Sequence, residues 1–152
     1  MKHRSNTIIA LALLLLGSGI TIIKHSHAAD RTITGVYTAG HGAPSTLEVR
    51  VEATHYVVLL SGGGSEAARA APPADCYVRA KGTLHGRTLT VTFMPVETDT
   101  FIYSQAQAEK EKRTLKIVFG QNTADVIRAD TFGYCGLGSS FVGHYRRKTA
   151  QK

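Results

Sequence analysis

The chain has 152 residues, 18 Lys+Arg against 11 Asp+Glu, and a formal net charge of +7. Lys2, Arg4 and Lys24 at one end and Arg146, Arg147, Lys148 and Lys152 at the other supply that excess, so residues 29–145 balance 11 bases against 11 acids. A neutral middle excludes the broad basic surface that holds nucleic-acid backbones, and the length excludes a multidomain enzyme, since one domain takes roughly 100–200 residues.

Met1-Lys2-His3-Arg4 is a cationic start, Thr7 to Ile23 is an apolar run, and Ser26-His27-Ala28 is a small-x-small cleavage pattern. Together they predict a signal peptide over 1–28, cut after Ala28 with Ala29 as second choice. A retained membrane anchor competes, because the 17-residue run lies at the lower limit for a span. No cysteine precedes Cys76, which excludes a lipid-modified cysteine at the cut. The expected product is a periplasmic or secreted protein, with a single domain over 29–145, a basic tail over 146–152 and no stable membrane insertion. Cys76 and Cys135 are the only cysteines, and in an oxidising space such a pair predicts a disulfide.

The mature chain reads as all-β with one short helix: a small antiparallel barrel or sandwich of about eight strands. Thr32–Thr38 opens it with Gly35-Val36-Tyr37. Leu47, Val49, Val51 and Ala53 then alternate with Glu48, Arg50 and Glu52, a strand with one wet face. Tyr56-Val57-Val58-Leu59-Leu60 is apolar on both faces and suits a central strand. Ser61–Asp75 is a long loop in which Glu66–Ala71 has the composition for helical turns behind Ser65. Cys76, Val78 and Ala80 alternate with Tyr77, Arg79 and Lys81, and Leu89, Val91 and Phe93 with threonines. Asp99 caps an expected helix over Thr100–Lys112, a stretch rich in helix formers. Leu115, Ile117 and Phe119 form a further strand. Turn signals fall at Gly82–Gly86, Gly120-Gln121-Asn122 and Gly136-Leu137-Gly138. Phe141–Arg147 closes the domain with Gly143-His144-Tyr145, and the matching G-x-Y character of first and last strands predicts that they pair and close the sheet.

No nucleophile elbow, zinc-protease or C-x-x-C motif occurs in the mature chain. Gly136-Leu137-Gly138 begins like a dinucleotide fingerprint but has Phe141 where Gly is required, and Gly62-Gly63-Gly64-Ser65 lacks a phosphate-loop lysine. His41, His55, His85 and His144 are scattered at spacings that do not converge on a metal ion. The reading therefore expects no enzyme activity, no cofactor and no metal. The tyrosines are expected to fill the barrel, their hydroxyls reaching its rim.

Three loops remain: Ala39–Ser45, Ser61–Asp75 and Gly133–Ser140. A Cys76–Cys135 bond would hold the last two together, and preorganised loops lose less entropy on binding. The expected function is a periplasmic binder, an inhibitor or immunity protein acting on a cell-wall hydrolase, with His41, Ser61, Gly62, Ser65, Leu137 and Ser139 as candidate contacts. Its partner is another envelope protein and not nucleic acid. The alternatives are a carrier of a small apolar ligand in the barrel interior and an envelope structural or assembly factor. In architecture the chain resembles the small exported lysozyme inhibitors of Gram-negative bacteria, whose S-G-x-x-Y loop enters the hydrolase cleft. Ser61-Gly62-Gly63-Gly64 begins that motif and Ser65 stands at its Tyr position, so no functional residue is carried across.

Overall fold

Alternating apolar residues give each strand one face that must leave water, and eight such strands bury those faces by rolling into a closed barrel. The computed structural model describes residues 33–39, 45–62, 76–99, 101–135 and 140–149. The strands are β1 (Gly35–Ala39), β2 (Ser45–Glu52), β3 (His55–Gly62), β4 (Cys76–His85), β5 (Thr88–Phe93), β8 (Thr114–Phe119), β9 (Thr123–Ala129) and β10 (Gly143–Arg147). Each pairs antiparallel with its neighbour in the ring β1-β10-β9-β8-β5-β4-β3-β2. Between β5 and β8 lie a two-stranded hairpin, β6 (Val96–Glu97) with β7 (Ile102–Tyr103), and the helix α1 (Gln105–Glu111).

Closure rests on the expected pairing of first and last strands, Tyr37 opposite Arg147 and Thr38 opposite Arg146. The two matching tyrosines perform the same task on either side of that seam. Tyr37 donates to the Ile33 carbonyl at 2.8 Å and Tyr145 to the Phe141 carbonyl at 2.9 Å, four residues back in each case. Arg147 lies over the Tyr37 ring at 5.1 Å and donates from Nη2 to its hydroxyl at 2.6 Å. With every strand paired on both sides, no barrel edge is left open to another chain.

The interior is filled by side chains. Leu47, Val58, Leu60, Val78, Leu89, Val91, Leu115 and Ile117 are all 0 % exposed, and Tyr37, Phe119 and Tyr145 are buried beside them at 1–2 %. Each fully buried aliphatic chain of this size contributes about 1.5–3 kcal/mol relative to exposure.

Two local expectations are corrected. Strand β4 runs through Gly82 to His85, and the turn begins only at Gly86. A Cβ on Gly82 would lie 1.9 Å from the Thr90 carbonyl oxygen, so glycine here allows β4 and β5 to approach closely. The helix starts at Gln105, not Thr100, and Ser104 caps it instead of Asp99. Ile102 and Tyr103 are drawn into the hairpin with Val96 and Glu97, while Ser104 and Gln107 form a capping box: Gln107 N donates to Ser104 Oγ at 3.2 Å and Ser104 N to Gln107 Oε1 at 2.9 Å. The proposed turns at Glu66–Ala71 lie outside the described residues.

Candidate functional site

In an up-and-down barrel alternate connections emerge at opposite ends. The ends flanking 40–44 and 63–75, the β5–β8 connection and the β9–β10 connection share one end, here called upper. The lower end carries the β2–β3, β4–β5 and β8–β9 turns. All three loops singled out in the sequence therefore leave the barrel on the same side.

The Cys76–Cys135 disulfide crosses this upper end, joining the start of β4 to the β9–β10 connection with a Cα–Cα distance of 5.4 Å. Such a bond belongs to an oxidising, non-cytoplasmic compartment. Among the described residues no helix is long and apolar enough to cross a membrane.

Beside the disulfide, Asp130–Cys135 makes a tight turn. Tyr134 N and Cys135 N both donate to the Thr131 carbonyl at 3.0 Å, and Gly133 takes φ +69°, a left-handed conformation in which glycine carries no Cβ penalty. Thr131 and Tyr134 point inward and are buried. The Tyr134 ring meets those of Phe93, Phe101 and Tyr103 edge-on at 5.1, 4.9 and 4.9 Å, and its hydroxyl donates to the Tyr77 carbonyl at 3.0 Å. Burial pushes that phenol up to about 12.

Arg113, just ahead of β8, holds the turn from outside. Its Nη1 donates to the Asp130 carbonyl at 2.9 Å and the Phe132 carbonyl at 2.6 Å, its Nε pairs with Glu111, and its guanidinium lies 5.8 Å from the Tyr134 ring centre. Asp130 in turn accepts from Thr114 N at 3.1 Å and Thr114 Oγ1 at 2.8 Å, and from Arg128 Nε at 3.2 Å. The Thr114 hydroxyl, with Arg128 and the Thr114 amide, holds its carboxyl below the usual carboxylate range.

The residue between these anchors is turned outward: Phe132 is 91 % exposed. A phenylalanine in water on a backbone fixed at both ends is unfavourable for the free protein and suited to a partner's pocket. Ile102, on the neighbouring hairpin, is 62 % exposed, and Ile127, on β9 leading into the connection, and Val142, just ahead of β10, are exposed too. Ile127 is the extra residue where the β8–β9 register shifts, Lys116 facing Arg128 and Ile117 facing Val126. Among the described residues, four of the five large exposed apolar side chains thus lie toward the upper end.

Of the residues expected at the site, Ser61 and Gly62 finish β3 at this end, opposite Tyr77 and Cys76. His41, Ser65, Leu137 and Ser139 lie outside the described residues. Phe132, Arg113 and Asp130 were not among the expected residues. The signal for Phe132 was Thr131-Phe132-Gly133, an aromatic ahead of a turn glycine.

The histidines do not gather. His55 and His85 lie at the lower end, each beside a threonine hydroxyl, Thr54 at 3.0 Å and Thr83 at 3.2 Å. His144 Nδ1 lies 2.6 Å from Asp125 Oδ1 on the outer wall. That is the base–orienter half of a hydrolytic triad, but among the described residues no serine or cysteine bonds to this imidazole. Nor does any group of three His, Cys, Asp or Glu residues converge as a metal site among them. Comparison with protein-family models, characterised proteins and solved structures finds no match.

Proposed function

We propose that this protein is an exported, periplasmic binder that inhibits, or confers immunity to, a cell-wall hydrolase through the upper end of its barrel. Phe132 is the anchor that enters the partner's cleft. The observation that carries the reading is a 91 % exposed phenylalanine on a turn held by a disulfide, two arginine–carbonyl bonds and a buried tyrosine. Rigid aromatic anchors surrounded by apolar neighbours are the side chains that dominate protein–protein affinity, and a turn ordered before binding loses little entropy on association. A binder also fits a barrel whose interior is filled with its own side chains.

The test is capture from an envelope extract with the disulfide-intact protein, alongside inhibition assays on a panel of peptidoglycan hydrolases. The proposal expects a hydrolase that is retained by the parent and lost with Phe132→Ala. If no hydrolase is retained or inhibited across the panel, the inhibitor reading is overturned.

A further inference from the structure

The opposite end of the barrel has a different chemistry. There Ile33, Leu84 and Phe119 form the floor of an open groove of about 600 Å³, bordered by Gly86, Arg87, Gly120 and Gln121. Leu84 and Phe119 come from β4 and β8, so the groove is the lower mouth of the barrel, where small-molecule sites of roughly 300–1,000 Å³ are commonly found. Ile33 and Phe119 are buried beneath it, and Leu84 packs against the same core.

The cation at the rim is fixed in place. Phe119 N donates to the Arg87 carbonyl at 2.9 Å, and Arg87 Nε returns a bond to the Phe119 carbonyl at 2.6 Å. These bonds tie the β4–β5 turn to the end of β8 and set the guanidinium beside the apolar floor. Among the described residues its Nη1 and Nη2 make no ion pair or hydrogen bond. A guanidinium presents two parallel N–H donors, the geometry that grips a carboxylate bidentately.

We infer that this mouth binds a single-chain fatty acid, its hydrocarbon on Ile33, Leu84 and Phe119 and its carboxylate on Arg87. Among the described residues Arg87 is the one charged side chain lining the groove, and a single guanidinium matches a singly charged head. The site lies at the far end of the barrel from Phe132 and stands independently of the binder reading.

The test is calorimetric titration of the full, disulfide-intact chain with dodecanoate below its micelle concentration, and with dodecyltrimethylammonium as the cationic counterpart. The expected result is one saturable equivalent of dodecanoate and no saturable binding of the cation. Arg87→Gln weakens dodecanoate about tenfold or more, as loss of a charge-assisted bond requires, and lowers the melting temperature only by what the bond to the Phe119 carbonyl contributes. Gln121→Trp, at an exposed position, fills the mouth and abolishes binding, whereas Phe132→Ala leaves the affinity unaltered. The inference is overturned by absence of saturable dodecanoate binding. It is equally overturned by parental affinity in Arg87→Gln or Gln121→Trp, or by equal binding of the cation.

Discussion

Replacing both cysteines, Cys76→Ala with Cys135→Ala, removes the covalent tie across the upper end. The bonded residues are 59 apart in sequence. Closing a loop of that size restricts the unfolded chain by about 4 kcal/mol in the chain-entropy treatment. Unfolding entropy of roughly 2 cal/mol/K per residue, over a domain of about 115 residues, converts that loss to a fall in Tm of about 17 °C. The fall should be read by near-UV circular dichroism during heating without reductant. Local order should fail ahead of the barrel: hydrogen exchange at the Tyr134 and Cys135 amides, both bonded to the Thr131 carbonyl, should accelerate more than at Val58 or Ile117, which sit in the wall. A double variant melting within about 3 °C of the parent would refute the entropic reasoning, since even 1 kcal/mol shifts a domain of this size by several degrees. Uniform acceleration across wall and turn would refute the claim that the disulfide mainly orders the turn.

Other substitutions and conditions separate framework from site. Gly82→Ala, whose Cβ would sit 1.9 Å from a backbone oxygen, should cost about 2–4 kcal/mol or prevent folding, seen as a lowered urea midpoint. Phe132→Ala should change that midpoint by no more than about 0.5 kcal/mol, because an exposed side chain has little native packing to lose. Burial pushes the phenols of Tyr134 and Tyr145 up to about 12, whereas an unfolded tyrosine ionises near pH 10. The stability their neutral forms contribute is therefore complete below about pH 10 and is lost as pH rises from about 10 to 12. Absorbance at 295 nm should show these two ionising late, together with unfolding; ionisation near pH 10 with the fold intact would contradict their burial.

The wall of this barrel was legible because its chemistry is local. Leu47 and Val49, Leu89 and Val91, Leu115 and Ile117 each declare an inward face by alternation, and the paired G-x-Y segments announced the seam. Sequence placed the helix start at Thr100 behind Asp99, a sound capping residue. It missed that Phe101, Ile102 and Tyr103 have a stronger destination, the hairpin and the Tyr134 ring cluster, which delays the helix to Ser104. The capping box Ser104-x-x-Gln107 was visible and should have decided the boundary. Gly82 looked like a turn because its role is a close approach between strands, a distance no local pattern reports. Phe132 was hidden for a similar reason. Exposure of an aromatic depends on Arg113, Thr131, Tyr134 and Cys135 fixing the turn around it, and Arg113 is remote enough in sequence to look like an ordinary surface cation. Common placement of the loops at one end followed only once the strand order was known.

The central claim is that the upper end, through Phe132, contacts an envelope hydrolase, and site-specific photocrosslinking in living cells tests it most directly. A benzophenone side chain placed at position 132 should capture a discrete partner that mass spectrometry identifies as a peptidoglycan hydrolase. The same group at Thr54, in the β2–β3 turn at the opposite end, should capture none. No adduct at position 132, or the same adducts from both positions, would contradict the account.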